Sequence, residues 1–295
     1  MGKKGKKGKK KKSTSAASGT PFSDALRVGE GYVLADLDTR RTPAFDGDKS
    51  DGVDALLAAD GELDGLQERL YAEGTAGGSK RVLLVIQGMD TAGKGGIMRH
   101  VVGSVDPQGV DLTAFKAPTE EELAHPFLWR IRKALPGPGK IGVFDRSHYE
   151  DVLVVAVNDL VPPAQWKRRF STINDFEQEL IEDGTTLIKV VLQISKEEQG
   201  ERLAERLDRP DKYWKYNPGD VTEREKWADY QVAYQEVLDK CSPASAPFYV
   251  VPADRKWYAR LAVQQLLLEH LRAMDLTWPE ADFDIEVEKE RLANS

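Results

Sequence analysis

A glycine-rich loop with one lysine is the feature of this sequence whose residue types and spacing most directly suggest chemistry. Residues 88 to 96 have the sequence GMDTAGKGG, which fits the spacing G-x-x-x-x-G-K. Glycines allow the backbone to curl until its N–H groups converge on phosphate oxygens, and a lysine at this position can reach the phosphoryl group that is transferred. The sequence therefore predicts a phosphate-binding loop formed by Gly88, Gly93, Lys94, Gly95 and Gly96.

The same glycines do not form a dinucleotide-binding fingerprint. The spacing G-x-G-x-x-G, begun at Gly93 and Gly95, requires a third glycine at position 98, where the chain has Met98. That glycine is needed for close packing of helix on strand in a dinucleotide site. The loop is therefore predicted to bind the phosphates of a nucleotide.

Two aspartates are the predicted metal ligands. A phosphate loop of this kind ordinarily continues with Ser or Thr, whose hydroxyl binds Mg²⁺, but Gly95 occupies that place. Asp90 lies within the loop, and Asp145 directly follows an apolar run, as an aspartate that ends a strand does in such proteins. We expect both to bind Mg²⁺, with Mn²⁺ as a substitute. A solvated turn residue is the alternative for Asp145.

Arginines near this loop are predicted to bind phosphate. Arg146 directly follows Asp145, and Arg130 lies on a predicted helix that leads back to the sheet. Guanidinium groups beside a phosphate loop neutralise the charge that is spread over phosphoryl oxygens. For an arginine considered alone, a purely solubilising surface role is the alternative.

A basic helix and the segment after it are predicted to form a lid. Arg202, Arg206 and Arg209 recur at i, i+4 and i+7, which places them on one face of a helix. The next residues, 210 to 218, have the sequence PDKYWKYNP and include Lys215. A segment with cations between two prolines resembles the closing lid of a small kinase, which excludes water. The alternative is an exposed helix with salt bridges to its interleaved glutamates.

Three apolar runs predict the sheet that must position these residues. Residues 82 to 86, 141 to 144 and 187 to 194 are largely apolar, as expected of strands that are covered on both faces. A helix-like segment follows each run, which implies crossover connections between parallel strands. The predicted fold class is α/β, a P-loop kinase-like three-layer sandwich with a mostly parallel sheet and a helical lid. Asp90 and Asp145 should then face one crevice.

The chain divides into four predicted segments. They are a disordered lysine-rich tail at 1 to 20, an extension with one helix at 21 to 78, a P-loop phosphotransferase domain at 79 to 275 with its lid at about 200 to 220, and a C-terminal tail at 276 to 295. Leucines at 56, 57, 63, 66 and 70 predict the helix of the extension. The lysine tail either solubilises the protein or captures a polyanion such as polyphosphate or nucleic acid.

Charge is distributed unevenly along the chain. The formal net charge is −7, but the first 20 residues contain eight lysines and no acidic residue, so the other 275 carry 34 basic and 49 acidic residues, a net charge of −15. Such an acidic body argues against a broad nucleic-acid-binding face. An anionic substrate must therefore be held by local clusters of cations in a narrow basic channel.

Composition excludes several classes of protein. A single cysteine, Cys241, rules out an internal disulfide framework and a cysteine-based zinc cluster. The basic start is not followed by the apolar segment of a secretory signal. The longest apolar runs have about six residues, whereas a membrane span needs about 20. We expect a cytoplasmic protein without membrane contact.

Several sequence blocks together resemble the polyphosphate kinase 2 family, over roughly residues 30 to 275. The blocks are GMDTAGKGG at 88 to 96, VDPQGV at 105 to 110, FKAPT at 115 to 119, FLWR at 127 to 130, FDRSHYEDVLVV at 144 to 155, the lid helix with WK at 214 to 215, and PADRKWY at 252 to 258. Blocks in this order are far more specific than the phosphate loop alone. The resemblance implies reversible, Mg²⁺-dependent phosphoryl transfer between inorganic polyphosphate and a nucleotide.

The resemblance also implies roles for individual residues. Asp90 and Asp145 resemble the metal and catalytic carboxylates of the family. Lys94 and Arg146 resemble its phosphate-stabilising cations. Further arginines in matching motifs are the lid residues Arg206 and Arg209, and the less specific matches Arg202 and Arg130.

Two positions bear on which nucleotides are used. Glu150 resembles the residue of the subgroup that accepts AMP as well as ADP, where the ADP-restricted subgroup has Asn. Ala156 departs from the family, in which an arginine is expected at that position. The expected partners are inorganic polyphosphate with AMP, ADP and ATP. GMP and GDP are further candidate nucleotides, and a homo-oligomer is a candidate assembly.

Two alternative functions stay open at this point. An ATP-dependent nucleoside monophosphate kinase would have the same loop and lid. A non-catalytic P-loop protein that binds polyphosphate or nucleic acid through its lysine tail is favoured slightly by Ala156, because a cation is lost there.

Overall fold

The computed structural model describes residues 19 to 295. The lysine tail predicted over residues 1 to 20 lies almost wholly outside the described residues, so what was predicted for it stays a prediction, as do the predicted domain boundaries. Within the described chain, no helix has both the length and the apolar character that crossing a bilayer requires.

A five-stranded parallel sheet forms the centre of the fold. Its strands are β1 Arg81–Gln87, β2 Val110–Ala114, β3 Ile141–Asp145, β4 Thr185–Gln193 and β5 Phe248–Pro252. They lie in the order β2-β3-β1-β4-β5, and each neighbouring pair is parallel. The three apolar runs correspond to β1, β3 and β4, so the predicted parallel sheet is confirmed.

The two outer strands of the sheet were not predicted. β2 is a short edge strand in which the polar Asp111 and Thr113 alternate with apolar residues, and none of its residues is fully buried. β5 is completely buried but has only five residues and ends at Pro252. β2 carries a weak pattern because it lacks a continuous apolar run. β5 has a run of four apolar residues, 248 to 251, but so short a run does not by itself distinguish a strand from a buried helix segment.

Helices cover both faces of the sheet. They are α1 Phe22–Leu26, α2 Lys49–Thr75, α3 Lys94–His100, α4 Glu120–Leu123, α5 Trp129–Lys133, α6 Val154–Val157, α7 Pro163–Trp166, α8 Arg169–Glu182, α9 Lys196–Asp208, α10 Gly219–Glu225, α11 Trp227–Lys240, α12 Lys256–Ala273 and α13 Ile285–Ala293. Leu84 of β1 belongs to the apolar cluster with α2, α3 and α12, whereas Val85 belongs to the cluster with α8 and α11. Helices, sheet and helices therefore form three layers, which confirms the predicted fold class.

The predicted helix of the extension is α2. Its N-terminus is capped by Asp48, whose Oδ1 accepts from the backbone N–H groups of Ser50 and Asp51. Four of the five leucines used to predict it are buried, but Leu57 is 61% exposed, because it directly follows Leu56 and so points to a different side of the helix.

The predicted lid helix is α9. It ends at Asp208, and residues Pro210–Lys215 form a short 3-10 helix. The helix therefore ends just before the segment between the two prolines that is predicted to belong to the lid. Over residues 276 to 295, where a tail was predicted, the chain forms α13 with an Asp284 cap.

Candidate active site

The predicted phosphate loop lies at the carboxyl edge of the sheet, between β1 and α3. β1 and β3 are paired so that Ile86 is opposite Asp145, which places this aspartate next to the start of the loop at Gly88. Asp90, Lys94, Asp145 and the neighbouring arginine line one cleft. The prediction that both aspartates face a common crevice is therefore confirmed.

Glycine is required where the loop begins. Gly88 has a φ of 153°, and a Cβ there would lie 2.8 Å from the carbonyl oxygen of Leu192. Gly93, with a φ of 118°, directly precedes α3. A Cβ at Gly95 would meet nothing within 4 Å, and Gly96 lines the cleft. The predicted glycines thus permit the curl of the loop and leave open space beside its backbone.

Lys94 extends back across the loop that it follows. Its Nζ donates to the carbonyl oxygens of Gly88 at 2.7 Å and Met89 at 3.4 Å. Burial, together with the nearby Arg146, lowers the pKa of Lys94, and the surrounding carboxylates oppose this only in part. The ammonium group is therefore held in the cleft by the loop itself.

Arg146 connects β3 to the loop. Its Nη2 donates to Asp90 Oδ1 at 2.8 Å, and its backbone N–H donates to the carbonyl oxygen of Ile86 at 3.0 Å. The backbone of Arg146 has a φ of 64°, which costs about 1 kcal/mol for a residue other than glycine. Burial alone would lower the pKa of Arg146, but Glu150 and Asp90 outweigh it and raise that pKa. The guanidinium group of Arg146 is thus permanently charged beside the carboxylates of Asp90 and Asp145.

Glu150 is the third acidic residue near Lys94 and Arg146, in addition to Asp90 and Asp145. Burial raises the pKa of its carboxyl group, although Arg146 and Lys94 lower it in part. With its amide oriented to match its neighbours, Gln87 donates to Glu150 Oε1 at 3.0 Å and accepts from Ser147 Oγ at 2.9 Å. Glu150 is therefore held at a place where its ionised form is unfavourable when no ligand is bound.

Replacing this group is expected to stabilise the fold. Because the folded-state pKa of Glu150 is raised, its carboxylate destabilises the fold at high pH, and this penalty disappears as the pH falls through the raised pKa toward the unfolded value. Glu150→Gln should therefore unfold at a higher temperature than the wild type at about pH 8, with a smaller difference at about pH 5. Thermal unfolding at both pH values measures this. A variant that is less stable at pH 8, or a difference that grows on acidification, would contradict a raised folded-state pKa of Glu150.

Two clefts meet at the phosphate loop. The larger, of about 520 Å³, is lined by Asp90, Asp145 and seven Lys or Arg residues. Those seven cations are Lys94, Arg99, Lys116, Arg146, Arg206, Lys215 and Arg260. The smaller cleft, of about 260 Å³, is also lined by Lys212 and Lys256. Seven cations around two acids agree with the narrow basic channel predicted for an otherwise acidic body.

Two of the predicted lid cations line both clefts. They are Arg206, on α9, and Lys215, at the end of the 3-10 helix. Arg206 Nη1 donates to the carbonyl oxygen of Lys215 at 2.9 Å and to Asp220 Oδ2 at 3.0 Å. The structure therefore brings these two residues to the phosphate loop and joins them to each other.

Arg130 and Arg209 do not line either cleft. Arg130 is 9% exposed, and its Nη1 donates to the carbonyl oxygen of Lys116 at 2.9 Å. The side chain of Arg209 is 47% exposed and pairs with Glu205 and Asp211, each at 3.0 Å. The phosphate contacts predicted for these two arginines gain no support from their positions.

Arg202 has a different environment from the one predicted. Its Nε donates to Glu198 Oε1 at 2.7 Å. Its remaining N–H groups bond the carbonyl oxygens of two loop residues and of two residues after β5, which are Thr91 at 2.8 Å, Ala92 at 3.1 Å, Ala253 at 2.6 Å and Asp254 at 3.0 Å. A guanidinium group has five N–H donors, and all five are used by the protein. Arg202 borders the smaller cleft, but its geometry is that of a residue that shapes the loop.

Arg202→Lys should therefore destabilise the protein although it keeps the charge. An ammonium group cannot span carbonyls on two sides as a planar guanidinium does, so we expect a loss of about 2 kcal/mol in the free energy of unfolding, the scale for buried hydrogen bonds to a charged group. Urea unfolding measures it. Arg209→Lys is the matched control and should leave stability unchanged, because its pairs are exposed. Equal effects of the two substitutions would contradict the assignment.

Several residues of the larger cleft were not predicted individually. Lys116 lies two residues after the end of β2, and Arg260 lies on α12, the helix after β5. Both residues lie in the connections that follow β2 and β5, the two strands that were not predicted. Arg99, on α3, would have been found from the loop alone by counting along the helix that begins at Lys94.

Comparison with known proteins agrees with this architecture. A family model described as polyphosphate kinase 2 matches residues 46–279. The chain is 43% identical over 251 residues to an AMP/ADP-polyphosphate phosphotransferase of Meiothermus ruber, which covers 85% of this chain and 92% of that protein. It is 39% identical over 268 residues to an ADP-polyphosphate phosphotransferase of Rhodopseudomonas palustris, covering 86% and 91% of the two chains.

A solved structure is similar over nearly the whole chain. The crystal structure of polyphosphate kinase 2 from Arthrobacter aurescens superposes with a TM-score of 0.92 at 54% sequence identity, and the match covers 94% of this chain and 98% of that one. Phosphate loop, strand order, lid and family model thus lead to one result: the chain belongs to the polyphosphate kinase 2 family.

Proposed function

We propose that this chain transfers phosphoryl groups between inorganic polyphosphate and nucleotides, converting AMP to ADP and ADP to ATP, and that it catalyses the reverse reactions. The observation that carries the proposal is the larger cleft, in which seven Lys or Arg residues and two carboxylates surround a glycine-rich phosphate loop. Polyphosphate presents a row of anionic groups, and the cleft offers a row of cations within an acidic body. The names of the relatives from M. ruber and R. palustris contain both substrates.

The proposed reaction is an in-line displacement at phosphorus. An oxygen of the nucleotide's terminal phosphate attacks the terminal phosphorus of polyphosphate. A P–O bond forms to the acceptor, the bond to the bridging oxygen breaks, and the shortened polyphosphate keeps the electron pair. Because the transition state of such transfers is loose, positioning and charge neutralisation supply most of the rate. We assign Lys94 and Arg146 to the oxygens of the transferred group, since both lie beside the carboxylates.

Asp90 and Asp145 are the proposed ligands of Mg²⁺, with Mn²⁺ as a substitute. Among residues 19 to 295, no group of three or more His, Cys, Asp or Glu side chains could hold a metal by itself. Mg²⁺ is commonly bound by one or two carboxylates together with substrate phosphates and water, so two carboxylates in a phosphate cleft fit this ion. Asp90 Oδ1 accepts a hydrogen bond from Arg146, and the carboxylates of Asp90 and Asp145 would hold the ion together. When bound, Mg²⁺ neutralises charge on the phosphate oxygens.

The lid and the acceptor side complete the proposal. Arg206 and Lys215 would bind the phosphate chain and help to exclude water, because both line the two clefts. Glu150 would face the nucleotide acceptor and favour AMP in addition to ADP. Its position within the charge field of Arg146 and Lys94 supports this role. Use of GMP or GDP, a homo-oligomer and a cytoplasmic location are further proposals from the sequence.

A substrate panel tests the proposed function. Purified protein with Mg²⁺, polyphosphate and either AMP or ADP should form ADP or ATP, detected by chromatography of the nucleotides. No nucleotide product at any polyphosphate length would contradict the proposal. Supplying ATP in competition with polyphosphate distinguishes it from a nucleoside monophosphate kinase, which would use ATP as the better donor. Deleting residues 1 to 20 should leave the turnover of short polyphosphate largely intact, whereas a tail-dependent binding protein would lose its only activity.

A further inference from the structure

A cluster of buried charged and polar side chains lies directly behind the active site. It consists of Lys189 on β4, Glu177 on α8, and His148 and Tyr149 in the 3-10 turn after β3. Lys189 and His148 are fully buried, and Glu177 is 1% exposed. Charges at such depth are costly unless every bond is satisfied, so the bonds of the cluster define what it does.

The ammonium group of Lys189 has all three of its donors in use. It bonds Glu177 Oε2 at 2.5 Å, the carbonyl oxygen of Cys241 at 2.7 Å and the hydroxyl of Tyr149 at 3.2 Å. It also lies 4.7 Å from the centre of the Phe248 ring, on the neighbouring strand β5. Lys189 thus joins a central strand to the turn after β3.

The carboxylate of Glu177 holds the same turn from the other side. Its Oε1 accepts from the hydroxyl of Tyr149 at 2.5 Å and contacts Nε2 of His148 at 3.1 Å. Burial alone would raise the pKa of Glu177, but Lys189 and His148 outweigh it and lower that pKa. Burial raises the pKa of Tyr149, so its hydroxyl stays protonated and donates. Two consecutive residues of the turn are therefore bonded to one buried carboxylate.

The turn held in this way separates two residues of the active site. Ser147, His148 and Tyr149 are fully buried, whereas Arg146 before them and Glu150 after them take part in the charge field of the cleft. Any shift of the buried three moves both flanking residues: Arg146, which lines the larger cleft, and Glu150, which lines neither cleft but interacts electrostatically with Lys94 and Arg146. In many proteins, apolar residues of similar volume can replace a buried ion pair without loss of stability. Stability alone therefore does not account for the buried ion pair at this position.

We infer that Lys189, Glu177 and Tyr149 are positioning residues, which fix Arg146 and Glu150 relative to the phosphate loop and thereby set the ratio of AMP to ADP phosphorylation. This inference rests on the proposed function for its kinetic consequence. The ratio of the two acceptors is informative because it does not depend on the fraction of protein that is folded. A cluster with a structural role only would lower both activities by the same factor.

Tyr149→Phe tests the inference with the smallest change. Removing the hydroxyl should lower kcat about 10-fold, the lower end of the effect of residues that orient a reactive group, and should change the AMP to ADP ratio of kcat/KM by more than about threefold. Amide hydrogen exchange of residues 146 to 151 should become faster, while exchange in β1 stays unchanged. The double variant Lys189→Met with Glu177→Gln, which removes both charges together, should show the same changes.

Gln264→Met is the matched control. Gln264 is also fully buried, and it bonds the carbonyl oxygen of Leu56 and Asp60 Oδ1 on α2, far along the chain from the turn. It should lower the unfolding temperature without changing the acceptor ratio. The inference would be overturned if Tyr149→Phe, like the control, left the AMP to ADP ratio unchanged and also left hydrogen exchange at residues 146 to 151 unchanged. A wild type without nucleotide product would instead contradict the proposed function, and hydrogen exchange would still decide whether the cluster holds the turn.

Discussion

Lys94→Met is expected to lower kcat for phosphoryl transfer from polyphosphate at least about 100-fold, which is the effect of removing a major electrostatic group from a transition state. Methionine keeps the apolar stem of the buried side chain and removes its ammonium group, so the loss measures the charge together with the hydrogen bonds of Nζ to Gly88 and Met89. KM for polyphosphate should change much less than kcat, because six other Lys or Arg residues of the larger cleft still bind the chain. Initial rates over a range of polyphosphate concentrations separate the two constants.

The matched control for this substitution is Lys240→Met. Lys240 lies on α11, pairs with Glu236 and has a side chain that is 43% exposed. It should leave kcat unchanged. If Lys94→Met retained most of the wild-type kcat, the assignment of Lys94 to the transferred group would be wrong, and the bonds of its ammonium to Gly88 and Met89 would then mark it as a structural part of the loop.

Asp145→Asn is expected to have a comparable effect, again a loss of at least about 100-fold in kcat. Asparagine has the same shape and suits the end of β3, but it removes one of the two carboxylates proposed to bind Mg²⁺. The Mg²⁺ concentration that gives half-maximal activity should rise at the same time, because a carboxylate is the better ligand for this ion. Titration of activity with Mg²⁺ measures both effects.

Asp111→Asn serves as the control for this charge change. Asp111 lies on β2, beside β3, and pairs with Lys140 at 2.9 Å away from the loop. Its variant should keep the wild-type rate and the wild-type requirement for Mg²⁺. Near-normal turnover of Asp145→Asn with an unchanged Mg²⁺ titration would remove Asp145 from the proposed metal site.

The sequence allowed the centre of the fold to be predicted because its central strands are buried on both faces. Long apolar runs revealed β1, β3 and β4, and the rule that parallel strands end at one edge then placed Asp145 beside the phosphate loop. The outer strand β2 lacks such a run, and the run of β5, at 248 to 251, is too short to distinguish a strand from a buried helix segment by itself. Lys116 and Arg260 follow those strands, so their place in the cleft became visible only in three dimensions.

The arginines of α9 show a second limit of sequence periodicity. A spacing of i, i+4 and i+7 indicates a shared face only while the helix continues. α9 ends at Asp208, and Arg209 has extended backbone angles, so its side chain leaves that face. Periodicity also does not indicate depth: Arg202 is buried and uses all its donors on Glu198 and four carbonyl oxygens, whereas Arg206, one turn later, reaches both clefts.

The bonds at both ends of α9 determine where the lid can bend. Gln199 and Arg202 bond the carbonyls of the loop, while Arg206 bonds Lys215 and Asp220 beyond the helix. Tilting the whole helix would break the buried bonds of Arg202, each worth about 1.5 to 3 kcal/mol. Bending after Asp208 breaks the contacts of Arg206, the exposed pair of Arg209 with Glu205 and the bonds of Arg224 to Lys196 and Gln199, but it leaves the bonds of Arg202 intact. A bend after Asp208 therefore breaks fewer buried bonds than a tilt of the whole helix, and it leaves in place the bonds that α9 makes to the phosphate loop.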